Sequence, residues 1–213
     1  MKMKKITLML MIIYLCLSFN TFAQSFEGKI IYKINYKSKV ANYPSENLNR
    51  LMGTKQIYMI KDNNYKSIFN GFFIKMQLYR GDENKGYTLT VKSDTLYRED
   101  YSINKDKALS YEIKKNQDTI MGIPCDVIII QAEKSKTYFY YNSNYSVNPN
   151  DFKQHKYGNW YYIISKTKAL PLKTVYENAQ YIATSIATEI KPERLNDEIF
   201  IIPNNVTILP AYW

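Results

Sequence analysis

The chain has 213 residues, a formal net charge of +10, one histidine and two cysteines, and its 21 tyrosines contribute to an aromatic content of 15%. The lysines are spread mostly singly, and no arginine-rich arm, zinc finger or RNA-binding signature is present, so the sequence argues against a nucleic-acid partner. The length suits one domain with its own core, and no internal repeat or low-complexity linker divides it.

The first 23 residues have the layout of a cleaved export signal. Lysines precede an apolar stretch, and Thr21 and Ala23 occupy the −3 and −1 positions of a cleavage site before Gln24. The apolar stretch is ~14 residues, shorter than the roughly 20 that span a membrane, and we expect no transmembrane segment after cleavage. Cys16 raises a lipid-anchored alternative, but Leu15 before it is not the small residue that such anchoring needs. We expect an exported protein, in the periplasm or alternatively secreted, with one β-rich domain over residues 24–213.

The first elements expected after the signal are a strand and a short helix. Residues 28–37, GKIIYKINYK, alternate apolar residues with lysines, which is typical of a strand with one buried face. In SENLNRLMG, residues 45–53, Ser45 can cap a helix, the apolar residues have helical spacing, and Gly53 can end it.

The chain from residue 54 to residue 101 reads as strands joined by turns. Asn70–Gly71 is a strong hairpin signal, and RGDENKG at 80–86 is a polar turn whose Arg-Gly-Asp needs no adhesion function. The strands predicted here are 54–61, 65–69, 72–79, 87–92 and 95–101.

The second half continues in the same way, with one interruption. Residues 147–160 lack alternation and predict a loop or a short helical excursion. The isoleucines of residues 181–190 are four apart, which suits a helix, but the β-branched content favours a strand. The strands predicted here are 108–115, 125–133, 136–142, 161–166, 170–177 and 181–190, followed by a turn and a short docked tail.

Aromatic residues are dense in YFYY (138–141) and NWYY (159–162). In a β-rich protein such side chains mostly fill half-buried strand positions, and this is the favoured interpretation. The alternative is that some of them line an apolar groove or stack on a sugar.

Cys125 is the only cysteine left after signal cleavage, and His155 is the only histidine. A nucleophilic cysteine needs a base, usually a histidine, that generates its thiolate. A single cysteine and a single histidine in a chain of this length are weak evidence for such a catalytic pair. An unpaired cysteine in an exported protein also suggests a second interpretation, a disulfide between two molecules. We favour a third interpretation, a buried side chain in a strand, because free cysteine is among the most buried residue types.

The sequence predicts no metal site and no cofactor. One histidine and one cysteine cannot supply a tetrahedral zinc site. The carboxylates of Asp82–Glu83 and Glu99–Asp100 would approach each other in a hairpin and could then hold a hard cation or act as an acid and a base. Solvated turn residues are the favoured interpretation. The usual nucleotide-binding and hydrolase motifs are absent.

Four short motifs carry a family resemblance: F-x-G-x-I-x-Y at 26–32, D-T-I-x-G-x-x-C at 118–125, LPLK at 170–173 and F-x-I-P at 200–203. Their order after an export signal resembles exported bacterial proteins of the GLPGLI type, or a sister family, because ALPLKT stands where GLPGLI would be. The resemblance implies a distant similarity to LolA/LolB-like periplasmic lipoprotein carriers, whose curved antiparallel sheet forms an incomplete barrel with short helices. It implies no reaction and no catalytic residue.

These observations give the following expectations. The fold is α+β and mostly antiparallel β, a LolA-like curved sheet or incomplete half-barrel with one or two short helices on its concave side. The protein is a non-enzymatic periplasmic binding protein for a lipidic or other apolar ligand; the alternative is a structural or interaction protein of the cell envelope with a filled core. The residues expected to line the ligand site are Ile30, Tyr32, Ile34, Met59, Ile74, Met76 and Leu78.

Overall fold

A computed structural model describes residues 25–213, so the export signal predicted at residues 1–23 lies outside the described part of the chain. Within that part, twelve strands form one sheet. The strands are β1 (Gly28–Ser38), β2 (Lys55–Lys61), β3 (Asn64–Phe69), β4 (Ile74–Arg80), β5 (Lys85–Thr90), β6 (Leu96–Asp100), β7 (Ala108–Ile120), β8 (Ile123–Ala132), β9 (Lys136–Ser146), β10 (Ala169–Glu177), β11 (Tyr181–Pro192) and β12 (Ile208–Pro210).

The strand order across the sheet is β12-β6-β5-β4-β3-β2-β1-β11-β10-β9-β8-β7. Neighbouring strands are antiparallel, except that β12 runs parallel to β6. The N-terminal strand therefore lies in the middle, between β2 and β11, and the sheet grows outwards from it in both directions.

The expected fold class is wrong. Strands account for 53% of the described residues and helices for 14%, so the protein is mostly β rather than α+β. The twelve strands form a single open, mixed sheet whose edges are β12 and β7, and the LolA-like half-barrel is not confirmed. The high strand content agrees with the sequence, whereas the alternation along each strand holds no information about sheet closure or strand order.

Two α-helices of eight residues lie against the sheet, α1 (Ser45–Met52) and α2 (Trp160–Thr167). In residues 25–213, no helix is both long and apolar enough to cross a bilayer. The helix predicted at residues 45–53 is confirmed as α1. It ends at Gly53, whose φ of 94° favours glycine, and a Cβ there would lie 2.6 Å from the backbone nitrogen of Gly71.

The strand predicted at residues 161–166 is wrong, because these residues belong to α2. Trp160, Ile163, Ile164 and Thr167 have the i, i+3, i+4, i+7 spacing of one helical face, and the last three are buried. Their burial against the sheet outweighs the β preference of isoleucine.

The segment before α2, which the sequence predicts as a loop or a short helical excursion, is a loop that includes two short helical turns. It contains the 3-10 turns Pro149–Phe152 and Tyr157–Asn159. Between them lies His155, which is 2% exposed. The segment therefore places a histidine and several aromatic rings on one face of the sheet.

We call the face of the sheet that carries Ile30, Tyr32, Ile34 and Tyr36 of β1 the front face. These four residues are buried in alternation with exposed or half-buried neighbours, as expected from the sequence. The main core cluster lies on this face, and side chains of both helices, including Leu48 and Trp160, pack against it.

The opposite, back face carries a second core cluster, which is covered by the C-terminal residues 193–207. Leu195 and Phe200 of this segment pack on side chains of β2 to β6. The Nζ of Lys61 donates a hydrogen bond of 2.9 Å to the carbonyl oxygen of Leu195. Each face of the sheet therefore has its own covering layer.

Candidate functional site

A pocket of about 320 Å³ opens on the front face over the middle of the sheet. Its base is β11, where Ala183 and Ser185 face the front. Ala183 lies between Tyr36 of β1 and Tyr176 of β10, since it pairs with both. Two short side chains between larger neighbours leave a hollow that the core does not fill.

The walls of the pocket are aromatic. Tyr32, Tyr36, Tyr58, Phe69 and Trp160 contribute side chains from β1, β2, β3 and α2. The rings of Tyr32 and Tyr58 meet edge to face with centroids 6.4 Å apart, a favourable aromatic geometry. The α-helix that the sequence did not predict thus supplies one of the walls.

Two polar atoms on these walls are buried without a hydrogen-bond partner, the hydroxyl of Tyr58 and the Nε1 of Trp160. Tyr58 is 8% exposed. Burial raises the pKa of Tyr58 well above its usual range, and that of Tyr36 to about 12, so both hydroxyls are protonated at neutral pH. The two orphaned atoms are hydrogen-bond donors, but neither is exposed at the pocket surface.

The pocket lining is uncharged. The remaining lining residues among those described are Ile34, Gln56, Pro171, Thr174 and Tyr176, and no Lys, Arg, Asp or Glu of the described chain contributes to it. Such a surface suits an apolar ligand with few polar atoms, because small-molecule sites are mostly apolar with a small number of placed polar groups.

His155 lies beneath the aromatic wall. Its Nε2 is 2.7 Å from the hydroxyl of Tyr65, and its ring centroid is 4.4 Å from that of Tyr79. Burial lowers the pKa of His155 to about 3, so the ring is neutral at physiological pH. The Nδ1 of His155 has no hydrogen-bond partner, but His155 is not part of the pocket lining.

The structure does not bring the seven expected ligand residues together. Tyr32 and Ile34 line the pocket, and Ile30 is buried in the same front cluster. Met59 and Leu78 belong instead to the back cluster, beneath the C-terminal segment.

Met76 packs against the same back cluster, and Ile74 is half-buried at the start of its strand. The reason is register: Ile30 pairs with Tyr58, so Met59 points to the other face. Sequence reasoning missed Tyr58 and Trp160, although the aromatic density of residues 159–162 was a signal for the latter.

Cys125 has the buried position that the sequence favours. Its side chain is fully buried, and its Sγ lies 3.3 Å from the carbonyl oxygen of Ile123. Burial raises the pKa of the thiol, which disfavours the reactive thiolate. His155 bonds to Tyr65 rather than to this thiol, so the two residues do not form a nucleophile–base pair.

Of the four carboxylates considered in the sequence, Asp82, Glu83 and Asp100 are engaged by neighbouring side chains. Asp82 pairs with Arg80, and Glu83 accepts a hydrogen bond from the hydroxyl of Tyr87. Asp100 lies 2.7 Å from the Nζ of Lys85, which with further hydrogen bonds lowers its pKa to about 2. Among residues 25–213, no three His, Cys, Asp or Glu side chains are grouped to hold a metal ion.

A larger, more open cleft of about 900 Å³ lies between residues 102–108 and α2. Its lining includes Lys107, Lys156 and Lys166, and the Nζ of Lys166 lies 5.6 Å from the ring centroid of Tyr162. The pocket over β11 is the better candidate site because its walls are aromatic and its lining is uncharged.

Comparison with known proteins gives little further information. No protein-family model matches the chain, and no curated protein is significantly similar to it in sequence. The solved structures that match include two of PNGF-II, in the P21 and C2 space groups, with 15% and 14% identity over 88% and 85% of this chain and TM-scores of 0.46 and 0.44. The chain spans about a third of PNGF-II, 32% and 31% of its length. A likeness at this level carries no conclusion about fold or function.

Proposed function

We propose that this protein is a non-enzymatic binding protein of the bacterial envelope that holds a lipidic or other apolar small molecule in the pocket over β11. The observation that carries the proposal is the unfilled, aromatic-walled and uncharged hollow of about 320 Å³ on the front face. The export signal expected in the sequence suggests the periplasm as its compartment.

The size and chemistry of the pocket set the range of affinity. Small-molecule sites in proteins generally measure about 300 to 1,000 Å³, so this pocket holds one small ligand or part of a longer chain. A ligand that buries about 300 Å² of apolar surface gains about 7 kcal/mol. The gain alone corresponds to a dissociation constant of about 7 μM, and association costs of at least about 4 kcal/mol weaken the expected affinity to the millimolar range.

The properties of His155 and Cys125, the two side chains considered as catalytic residues, support a binding protein rather than an enzyme. His155 is neutral and buried, and Cys125 is buried with a raised thiol pKa. Catalytic acids, bases and nucleophiles need pKa values near the operating pH and access to the substrate. Neither residue lines the pocket.

A pair of alanine variants tests the proposal. Ala183→Phe fills the base of the pocket, whereas Ala179→Phe adds the same ring at an exposed turn residue four positions away. We expect the mature protein and Ala179→Phe to bind the neutral apolar probe N-phenyl-1-naphthylamine, and Ala183→Phe to bind it at least tenfold more weakly. Equal binding by the two variants, or no binding by the unmodified protein, would overturn the proposal.

A second candidate function, a structural protein that assembles through strand pairing, is favoured by β7. This 13-residue strand forms one edge of the sheet, whereas the other edge is the three-residue β12. Tyr111 and Ile113 lie on one face of it and are 47% and 37% exposed, and Leu109, at a register shift between Ala108 and Ser110, is 65% exposed. A long edge strand presents unpaired backbone groups that are a template for pairing with another strand.

The charges on β7 suit a second copy of this chain as the partner. Antiparallel pairing of two β7 strands about Ile113 would place Glu112 of each copy opposite Lys114 of the other, a favourable cross-strand pair. Sedimentation velocity tests this assembly: a dimer that becomes a monomer in Ile113→Lys supports it. A monomer at all concentrations, or a dimer unaffected by Ile113→Lys, excludes it.

A further inference from the structure

We propose that the cleft of about 900 Å³ between residues 102–108 and α2 is a second binding site, which takes an organic anion with an apolar or aromatic body. Lys107, Lys156 and Lys166 line the cleft, and no Asp or Glu of the described chain does so. In residues 25–213 the cleft shares no lining residue with the pocket over β11, so this inference is independent of the proposed function.

The three cleft lysines are exposed and carry uncompensated charge. Lysines elsewhere in residues 25–213 pair with carboxylates, as Lys85 does with Asp100 at 2.7 Å, but none of the three cleft lysines has such a partner there. Asp106, next to Lys107 in the chain, accepts hydrogen bonds from the amide of Lys134 and the hydroxyl of Ser135 instead. A cleft lined by one sign of charge concentrates ligands of the opposite sign.

The serine and asparagine side chains of the lining are already engaged within the protein. The hydroxyl of Ser102 donates to the Oδ1 of Asp100 at 2.7 Å, and that of Ser165 donates to a carbonyl oxygen of its own helix at 2.8 Å. The Nδ2 of Asn104 donates to the Oδ1 of Asn159 at 2.6 Å. The lysines therefore remain as donors for a ligand, and their strongest hydrogen bonds are to anionic oxygens.

Hydrogen bonds between the two walls fix the shape of the cleft. Asn159 is 9% exposed; its Oδ1 accepts a hydrogen bond of 2.9 Å from the amide of Ala108, and its Nδ2 donates one of 2.8 Å to the carbonyl oxygen of Asp106. The amide of Lys156 donates to the carbonyl oxygen of Tyr101 at 2.7 Å. A ligand therefore finds the cleft already formed, which lowers the entropic cost of binding.

An apolar surface lies beside the charge. Tyr161 and Tyr162 line the cleft together with Ile103, which is 55% exposed. The Nζ of Lys166 lies 5.6 Å from the ring centroid of Tyr162, so a cation stands next to one of these rings. An anion with an apolar body uses both features, because burial of its body adds to the attraction of its charge.

Two fluorescent probes with the same ring system test the inference. 8-Anilinonaphthalene-1-sulfonate differs from N-phenyl-1-naphthylamine by one sulfonate group. We expect the double variant Lys156→Gln/Lys166→Gln to bind the sulfonate at least fivefold more weakly than the unmodified protein in 150 mM NaCl, and to bind the neutral probe within twofold. An increase from 50 to 500 mM NaCl should weaken only the sulfonate.

Lys153→Gln/Lys168→Gln is the matched control. It removes the same charge from exposed lysines that flank the cleft lysines in the chain but do not line the cleft. It should bind the sulfonate within twofold of the unmodified protein. An equal loss in the two double variants would show that only the general positive charge attracts the probe, and would overturn the inference.

Competition between two carboxylates tests the apolar body of the ligand. The competitors are laurate and acetate at pH 8, and the protein is Ala183→Phe, in which the pocket over β11 is filled. Laurate should displace the sulfonate at a concentration at least tenfold lower than acetate does. Equal displacement would overturn the ligand class.

The outcomes separate this inference from the proposed function. Loss of the neutral probe alone in Ala183→Phe concerns the pocket over β11 and leaves the cleft as the anion site. If the unmodified protein does not bind the sulfonate, or if Ala183→Phe loses it, the cleft is not the anion site and the inference is overturned.

Discussion

The hydroxyl of Tyr32 on β1 donates a hydrogen bond of 2.7 Å to the carbonyl oxygen of Pro171 on β10, although β11 lies between these strands. Tyr32 pairs with Ala187 of β11, whose small side chain lets the tyrosine ring cross above it. This bond ties three strands together at the margin of the pocket and fixes the orientation of one wall.

Tyr32→Phe should lower the free energy of unfolding by about 1 to 2 kcal/mol, because it removes the donor and leaves the Pro171 carbonyl unpaired. Tyr58→Phe is the matched control, since its hydroxyl makes no bond to lose. Urea titration of both variants measures the difference. An equal loss of stability in the two variants would contradict the hydrogen-bond assignments.

The lowered pKa of His155 predicts a dependence of stability on pH. Because its pKa falls from 6.5 to about 3 on folding, the unfolded chain binds a proton between these values and the folded chain does not. Stability is therefore constant above about pH 7 and decreases as the pH falls towards 3, with a loss of about 2 kcal/mol between pH 7 and pH 5.

Unfolding measured at pH 7, 6 and 5 checks this prediction. The rings around His155 are those of Tyr65, Tyr79 and Tyr101, whose pKa values are raised, so they do not titrate in this range. His155→Phe should be less stable at pH 7, because the Tyr65 hydroxyl loses its partner, but should lack this pH dependence. A slope that persists in His155→Phe would assign the effect to another group.

The buried position of Cys125 predicts an unreactive thiol. With its side chain fully buried and its pKa raised, the mature protein should react with Ellman's reagent only after unfolding. Non-reducing electrophoresis should likewise show no disulfide-linked dimer. Rapid stoichiometric labelling of the native protein would show that the thiol is accessible and would support the interpretation that Cys125 forms an intermolecular disulfide.

The C-terminal segment should be needed for stability but not for binding. Phe200 is 5% exposed in the back cluster, so Phe200→Ala should cost about 3 to 5 kcal/mol. Its neighbour Ile201 is 56% exposed, and Ile201→Ala should cost less than about 0.5 kcal/mol. Under conditions where it is folded, Phe200→Ala should bind the apolar probe as the unmodified protein does. A loss of probe binding would place the site on the back face.

Individual strands were predictable because their alternation is local. The apolar residues of β1 are buried as expected, and the β-branched residues of β11 form a strand despite their helical spacing. The position of each strand in the sheet was not predictable, because pairing is a long-range property. Knowing that β1 is central, for example, requires its pairing with β11, more than 140 residues away in every pair.

The candidate site was predicted only in part for the same reason. Tyr32 and Ile34 were expected on an apolar surface and line the pocket. Met59 was assigned to the same surface, but the register with β1 turns it to the back face. Trp160 ends the segment 147–160 that the sequence predicts as a loop or a short helical excursion, so the sequence does not place it in the pocket wall. The hollow itself arises from small residues on β11, which have no signature until their neighbours are known.

Native mass spectrometry of the mature protein, purified from the cells that make it, tests the binding function most directly. Ala183→Phe produced in the same cells serves as the control, since it fills the pocket. Binding in the pocket predicts an added mass on the unmodified protein that organic extraction releases and that is missing from Ala183→Phe. A bare protein mass in both, together with no uptake of the neutral probe, would contradict it.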